Sequence, residues 1–285
     1  MRESRRSEQN ERKSAETTWS RLCGAASGQY SDPGRACQPM HRSQVYTNID
    51  RWTGWLLPPR CVLCRRPGQR PAYDLCVECE AEIPVVTDPC RRCGLPAEGG
   101  EGQEGGCARC CMLELPYAQC VAPWAYEFPV TQLVQALKYE GALANARVFG
   151  TRMVVQAVRG QADPLHAAAL VVPMPLHPSR LVERGFNQSH EIARVVTRLL
   201  DLRLAPAGFR RVRATAPQVG LSRRERAGNL SGAFVADPRF VASQHVVLID
   251  DVVTTGSTAA AAAQALLVAG ASEVVVWALA RATQR

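Results

Sequence analysis

Eight of the twelve cysteines fall into four C-x2-C pairs: Cys61 with Cys64, Cys76 with Cys79, Cys90 with Cys93, and Cys107 with Cys110. Such a pair sets two thiolates on one side of a tight turn. Two turns then complete a tetrahedral sulfur site, the geometry that structural Zn2+ prefers. The first two pairs are separated by 11 residues and the last two by 13, which are ribbon-like spacings. Two structural Zn2+ sites are therefore expected, with iron–sulfur ligation as the competing metal reading. Successive pairing is favoured over interleaving, although spacing alone does not decide it. Four thiolates leave no open coordination position, so these sites are structural rather than catalytic. A single C-x2-C can also be a redox pair, but no βαβ pattern surrounds any of these. Cys23 and Cys37 have no partner pattern, and Cys111 and Cys120 read as free or buried thiols.

A second constellation lies near the C-terminus, in V-V-L-I-D-D-V-V-T-T-G-S-T from Val246 to Thr258. Apolar residues form a buried strand that ends in Asp250 and Asp251. The turn from Thr254 to Thr258 can aim backbone N–H groups and several hydroxyls at one point, and a helix opening there adds its positive end. That point suits a phosphate. Gly256 allows close approach of the backbone. The acids repel phosphate but accept hydrogen bonds from diol hydroxyls. One end of the motif thus reads a sugar and the other its 5′-phosphate.

This stretch resembles the 5-phosphoribosyl-1-pyrophosphate (PRPP) signature of type I phosphoribosyltransferases at every position. The resemblance implies a parallel-sheet floor for PRPP, bound as its Mg2+ complex. It also implies PRPP-binding roles for Asp250, Asp251, Thr254, Thr255, Gly256, Ser257 and Thr258. Further blocks are similar to those of the ComF/GntX-type competence family: L-K-Y-E-G at 137–141, P-M-P-L at 173–176, R-G-F-N-Q at 184–188, and the run from Arg211 to Leu230. The double zinc ribbon fits the same family. The similarity covers roughly Leu56 to Arg281. It implies a role in uptake or use of DNA in competence, with competence or recombination proteins as partners, while the ribbons and the arginine-rich stretch point to DNA processing and to single-stranded DNA as a partner.

A PRPP enzyme must also hold a pyrophosphate leaving group, and a turn after the first sheet strand is the natural place. Pro173–Pro175, then Arg180 and Arg184 before Gly185, fit such a turn, and Arg forks match phosphate geometry. Of 34 basic residues only Lys13 and Lys138 are lysines. In a chain that otherwise writes arginine, Lys138 is a candidate point charge for the same pyrophosphate. Arg210–Arg226 carries six arginines, Arg223, Arg224 and Arg226 among them, against one Glu. It reads as a lid that excludes water from PRPP or as a loop that neutralises nucleic-acid phosphates. His177 and His190 are titratable, but neither stands out as a catalytic base. Catalytic residues, the acceptor and turnover itself are not legible. Two function classes stay open: a phosphoribosyltransferase, or a single-stranded DNA-binding or protein-docking module whose PRPP site is regulatory or vestigial.

These side chains need elements to position them. Residues 1–44 mix both charge signs without apolar period and read as a disordered tail. Residues 45–117 read as a docking helix, carried by Val45, Ile49, Trp52 and Leu56, followed by the double zinc ribbon. Residues 118–285 read as α/β: strands at Ala118–Ala122, Ala169–Pro173, His245–Ile249 and Glu273–Ala280. Helices are expected at Val130–Lys138, Ala144–Val158, Glu191–Leu200 and Ser257–Ala269. The expected fold is a type I phosphoribosyltransferase-like, mostly parallel sheet with flanking helices, preceded by the small ribbon module. The 285 residues carry a net charge of +8, which falls to about +4 if eight thiolates bind two Zn2+. Residues 1–44 include no apolar secretory core, and no apolar run is long enough for membrane insertion. A cytoplasmic location is expected, where cysteines serve metals more often than disulfides.

Overall fold

The computed structural model describes residues 58–69, 73–97, 106–112, 115–159, 169–205, 208–214, 230 and 232–283. The expected tail at 1–44, the expected docking helix, and Arg223, Arg224 and Arg226 lie outside the described residues. No helix among the described residues is long and apolar enough to cross a membrane.

The cysteine segment has little regular structure. Among the described residues it holds two short helices, α1 (Val77–Glu82) and α2 (Ala108–Cys111). Each ribbon opens with a knuckle closed by antiparallel bridges, Arg60 with Pro67 and Pro89 with Pro96. The residue after each first C-x2-C takes a left-handed conformation, Arg65 at φ 65° and Gly94 at φ 70°. Its N–H then bonds back to the carbonyl of Cys61 or Cys90, at 2.9 and 2.8 Å. Arg65 bears the steric cost that Gly94 avoids.

The α/β part runs β1 (Gln119–Val121), β2 (Trp124–Ala125), α3 (Val130–Tyr139), α4 (Leu143–Arg159), β3 (Leu170–Pro173), α5 (Pro178–Arg184) and α6 (Gln188–Leu200). It continues with β4 (Arg203–Leu204), β5 (Phe209–Arg211), β6 (Phe234–Ala236), α7 (Pro238–Val241), β7 (His245–Val253), α8 (Ser257–Val268) and β8 (Glu273–Arg281). The main sheet has the order β1-β8-β7-β3-β4, with β2 also on β8, and every pairing in it is parallel. β5 and β6 form a separate antiparallel pair, and the basic stretch between them falls mostly outside the described residues.

Period-two alternation divides the sheet between two cores. Val247, Ile249, Val275 and Trp277 pack on one face with residues of α3, α4 and α6 and with Cys61, Tyr73, Leu75 and Ile83 of the first ribbon. Val246, Leu248, Val274 and Val276 pack on the other with α8, Phe209 and Phe234. Both faces are covered, which is why the central strands are almost uninterruptedly apolar.

Several element ends differ from the sequence expectation for local reasons. α6 starts at Gln188 because the Asn187 side chain accepts from the N–H groups of Ser189 and His190. β7 continues through both acids to Val253, paired along its length with β8. The turn expected around Arg180 and Arg184 is instead the helix α5. Pro178 occupies its first turn, His177 caps it, and Gly185 at φ 79° ends it.

Candidate ligand site and zinc centres

The eight C-x2-C cysteines form two groups, Cys61, Cys64, Cys76 and Cys79 in one and Cys90, Cys93, Cys107 and Cys110 in the other. Within each group the sulfurs lie within 4.8 Å of one another. The pairing is successive. Sγ–Sγ separations of 3.6 Å for Cys64–Cys76 and 3.8 Å for Cys90–Cys110 and Cys93–Cys107 match the edge of a tetrahedron with Zn–S bonds of about 2.3 Å. The donor set and its spacing fit Zn2+, and these are two four-cysteine zinc-binding sites. Cys120 is a separate buried thiol, pushed up to about 12 by burial.

The acid pair sits at the C-terminal end of β7, at the centre of a converging set of side chains. Lys138 Nζ from α3 lies 2.7 Å from Asp251 Oδ2. Gln188 Nε2, in the first turn of α6, donates to the same oxygen at 3.3 Å, and Ser189 Oγ donates to Asp250 Oδ1 at 3.4 Å. Backbone N–H groups of Asp251 and Val252 donate to Asp250 Oδ1 and Asp251 Oδ1, at 2.9 and 2.8 Å. Burial first, then the neighbouring Asp251 charge, pushes Asp250 up to about 7. Burial alone would lower Lys138, but attraction and hydrogen bonding to Asp251 outweigh it and its pKa is raised. Arg184 donates to Gln188 Oε1 at 2.6 Å and stands 5.4 Å from the centre of the Tyr139 ring. α3, α5, α6 and β7 are thereby tied at one point.

Beyond the acids, the chain turns through Thr254 and Thr255 into α8. Gly256, at φ 85°, occupies the N-cap position and offers no side chain, while Thr255 Oγ1 accepts from the N–H of Ser257 at 3.4 Å. Thr255 Oγ1 and Ser257 Oγ are 3.0 Å apart, so hydroxyls and first-turn amides crowd the mouth of the turn.

Residues 52–111 match the family described as double zinc ribbon domain. The DNA utilization protein YhgH of Escherichia coli K12 is 34% identical over 226 residues, which cover 79% of this chain and 98% of that protein. YhgH of Salmonella typhi is 37% identical over 230 residues, with the same two coverages. Competence protein F of Haemophilus influenzae is 31% identical over 228 residues, covering 78% and 97%. The chain belongs to the ComF/GntX-type competence family.

The sequence blocks of that family gather around the acid pair. L-K-Y-E-G brings Lys138 and Tyr139, and R-G-F-N-Q brings Arg184 and Gln188. P-M-P-L forms the connection after β3, where the Met174 carbonyl accepts a hydrogen bond from Asn187 Nδ2 at 3.0 Å. Next to it lies a cleft of about 730 Å3, lined among others by Pro173, Pro175, His177, Phe186, His190 and Phe209. His177 Nδ1 pairs with Ser179 Oγ at 2.7 Å as part of the α5 cap. Arg180 is exposed and faces Glu183 at 3.8 Å, so Arg184, not Arg180, joins the acid network. The reach of Gln188 and Ser189 to the acids, and the burial of Arg281, were not foreseen from sequence. Gln188 stands within the R-G-F-N-Q block, but nothing local announces that it meets Asp251.

Proposed function

We propose that the protein is a PRPP-binding, phosphoribosyltransferase-fold protein acting in DNA uptake, use or processing. The observation that carries the reading is the convergence of Lys138, Gln188 and Ser189 on Asp250 and Asp251, beside the hydroxyl-rich turn that opens α8 at Gly256. Asp250 Oδ2 has no hydrogen-bond partner among the described residues and suits a ribose hydroxyl. The turn from Thr254 to Thr258 suits the 5′-phosphate. Lys138 and Arg184 are the cations within reach of a pyrophosphate departing between them, once Lys138 turns from Asp251. Mg2+ arriving with PRPP would neutralise part of the pyrophosphate charge. The chain's own part is to orient the sugar and hold the leaving group while an acceptor attacks C1.

The DNA role rests on the names borne by the relatives and on the arginine-rich segment. A second reading, a single-stranded DNA-binding or protein-docking module with a regulatory PRPP site, is favoured by Arg60, Arg65 and Arg66, all exposed on the first knuckle. Calorimetry with PRPP–Mg2+, beside an assay of pyrophosphate release across nucleobases and single-stranded DNA, separates the two. Binding with release supports the enzyme. Binding without release supports the module, and no binding defeats the PRPP reading.

A further inference from the structure

Arg281, the last residue of β8, is 2% exposed. Its Nε donates to the carbonyl of Cys93 at 2.8 Å, and Cys93 is a ligand of the second zinc site. Its Nη1 donates to the carbonyl of Val253 at 2.8 Å and to those of Thr254 and Ala282. Val253 and Thr254 are the residues from which the phosphate turn departs. No carboxylate pairs with Arg281 among the described residues. A buried guanidinium thus stands between the second four-thiolate site, net −2 when it holds Zn2+, and the backbone carbonyls at the root of the turn, bonded to both.

The surroundings leave this arginine little freedom. Val253 and Arg281 are in register across the β7–β8 ladder. A Cβ on Gly94 would meet Cys120 O and Sγ at 3.3 Å and Arg281 Cδ at 3.6 Å, so the knuckle backbone rests against the arginine stem. The buried Tyr117 places its hydroxyl 3.3 Å from where a Cβ on Gly256 would lie, closing the same junction from the helix side. Cys120 N–H donates to Arg91 O at 3.1 Å, fastening the knuckle to β1. The first ribbon is attached elsewhere, through Asp74 to Arg147 at 2.7 Å and Glu80 to Arg152 at 3.5 Å, both on α4.

We infer that Arg281 is a positioning residue that couples the second zinc ribbon to the phosphate turn by fixing the turn's backbone. The inference rests on the proposed PRPP site. It assigns the two ribbons different work: the second supports ligand binding, whereas the first does not. Linkage requires reciprocity, so a ligand that engages the turn must also retain the second zinc.

The test uses the full chain and two probes, ribose 5-phosphate for the turn and inorganic pyrophosphate for the opposite end of the site. Arg281→Lys keeps the charge but cannot bridge both partners, and Cys110→Ser removes a ligand of the second zinc. Each is expected to weaken ribose 5-phosphate roughly tenfold, an ordinary size for coupling between sites, and to leave pyrophosphate within about twofold. Cys76→Ser, in the first site, is expected to change neither affinity. Ribose 5-phosphate is also expected to slow zinc transfer from the wild-type protein to a chromogenic chelator. Equal losses for both probes, the same loss in Cys76→Ser, or wild-type affinities throughout would each overturn the coupling. If wild-type protein binds neither ribose 5-phosphate nor PRPP–Mg2+, the PRPP reading has failed, and amide exchange at residues 254–258 decides the coupling separately. Faster exchange in Arg281→Lys and Cys110→Ser, but not in Cys76→Ser, sustains it; unchanged exchange in all three overturns it.

Discussion

Lys138 Nζ and Asp251 Oδ2 are 2.7 Å apart, with 22% and 7% of their side chains exposed. The only lysine of the α/β part thus serves as counter-charge to the acid pair. Lys138→Met leaves two adjacent carboxylates without their cation, and a loss of about 1–2 kcal/mol at pH 7 is expected from urea unfolding. Lys138→Arg is expected to restore little, because a planar fork does not fit where a compact ammonium stood. PRPP–Mg2+ affinity should fall in both variants, measured by calorimetry; wild-type affinity in Lys138→Met would remove Lys138 from the site.

Asp250 gives the protein a pH dependence of defined sign. Its folded pKa is raised from 3.8 to about 7. Between those values the folded chain holds a proton that the unfolded chain has lost, so this group's contribution falls as pH rises from about 4 to about 7 and is level above. Asp250→Asn is expected to gain stability relative to wild type across that window, read as urea midpoints at pH 5 and pH 8. A constant difference between the two pH values would show that Asp250 titrates normally.

The double variant Asp250→Asn, Asp251→Asn should abolish PRPP binding while the fold survives. An amide presents a donor where a ribose hydroxyl needs an acceptor. Calorimetry beside far-UV dichroism reads both parts, and unimpaired binding would refute the assignment of the acids to the sugar.

The two four-cysteine groups should hold about two Zn2+ per chain, and Cys76→Ser should lose one of them and loosen the first ribbon only. Elemental analysis of untagged protein purified under reducing conditions is the check. Iron in place of zinc would reverse the metal assignment.

Neutralising Arg223, Arg224 and Arg226 together is expected to weaken single-stranded DNA binding. It should also flatten its salt dependence, by roughly 0.7 in log–log slope for each phosphate no longer neutralised. Fluorescence anisotropy of a labelled oligonucleotide, from low to physiological salt, measures this. An unchanged slope would leave the segment as a lid over PRPP alone.

The features legible from residue types and spacing are local in origin. Cysteines in a C-x2-C pair make a knuckle wherever the chain places it. A run such as Val246–Ile249 followed by acids, a Gly-containing turn and an Ala-rich helix writes strand, turn and helix through propensity and period. Both zinc-ligand groups and the parallel α/β architecture were therefore legible; helix α5 was not, although Pro178 in its first turn and Gly185 at its end mark it, because its short polar run reads equally as a phosphate turn. Tertiary structure decided the partners. It chose successive over interleaved cysteine pairing, set Lys138 against Asp251, and brought Gln188 to the same carboxylate across 63 residues. It also laid Arg281 against the carbonyl of Cys93 across 188 residues. Such pairings form only after strand order and register have closed long loops, and one arginine among 32 carries no local mark of which carbonyls will surround it.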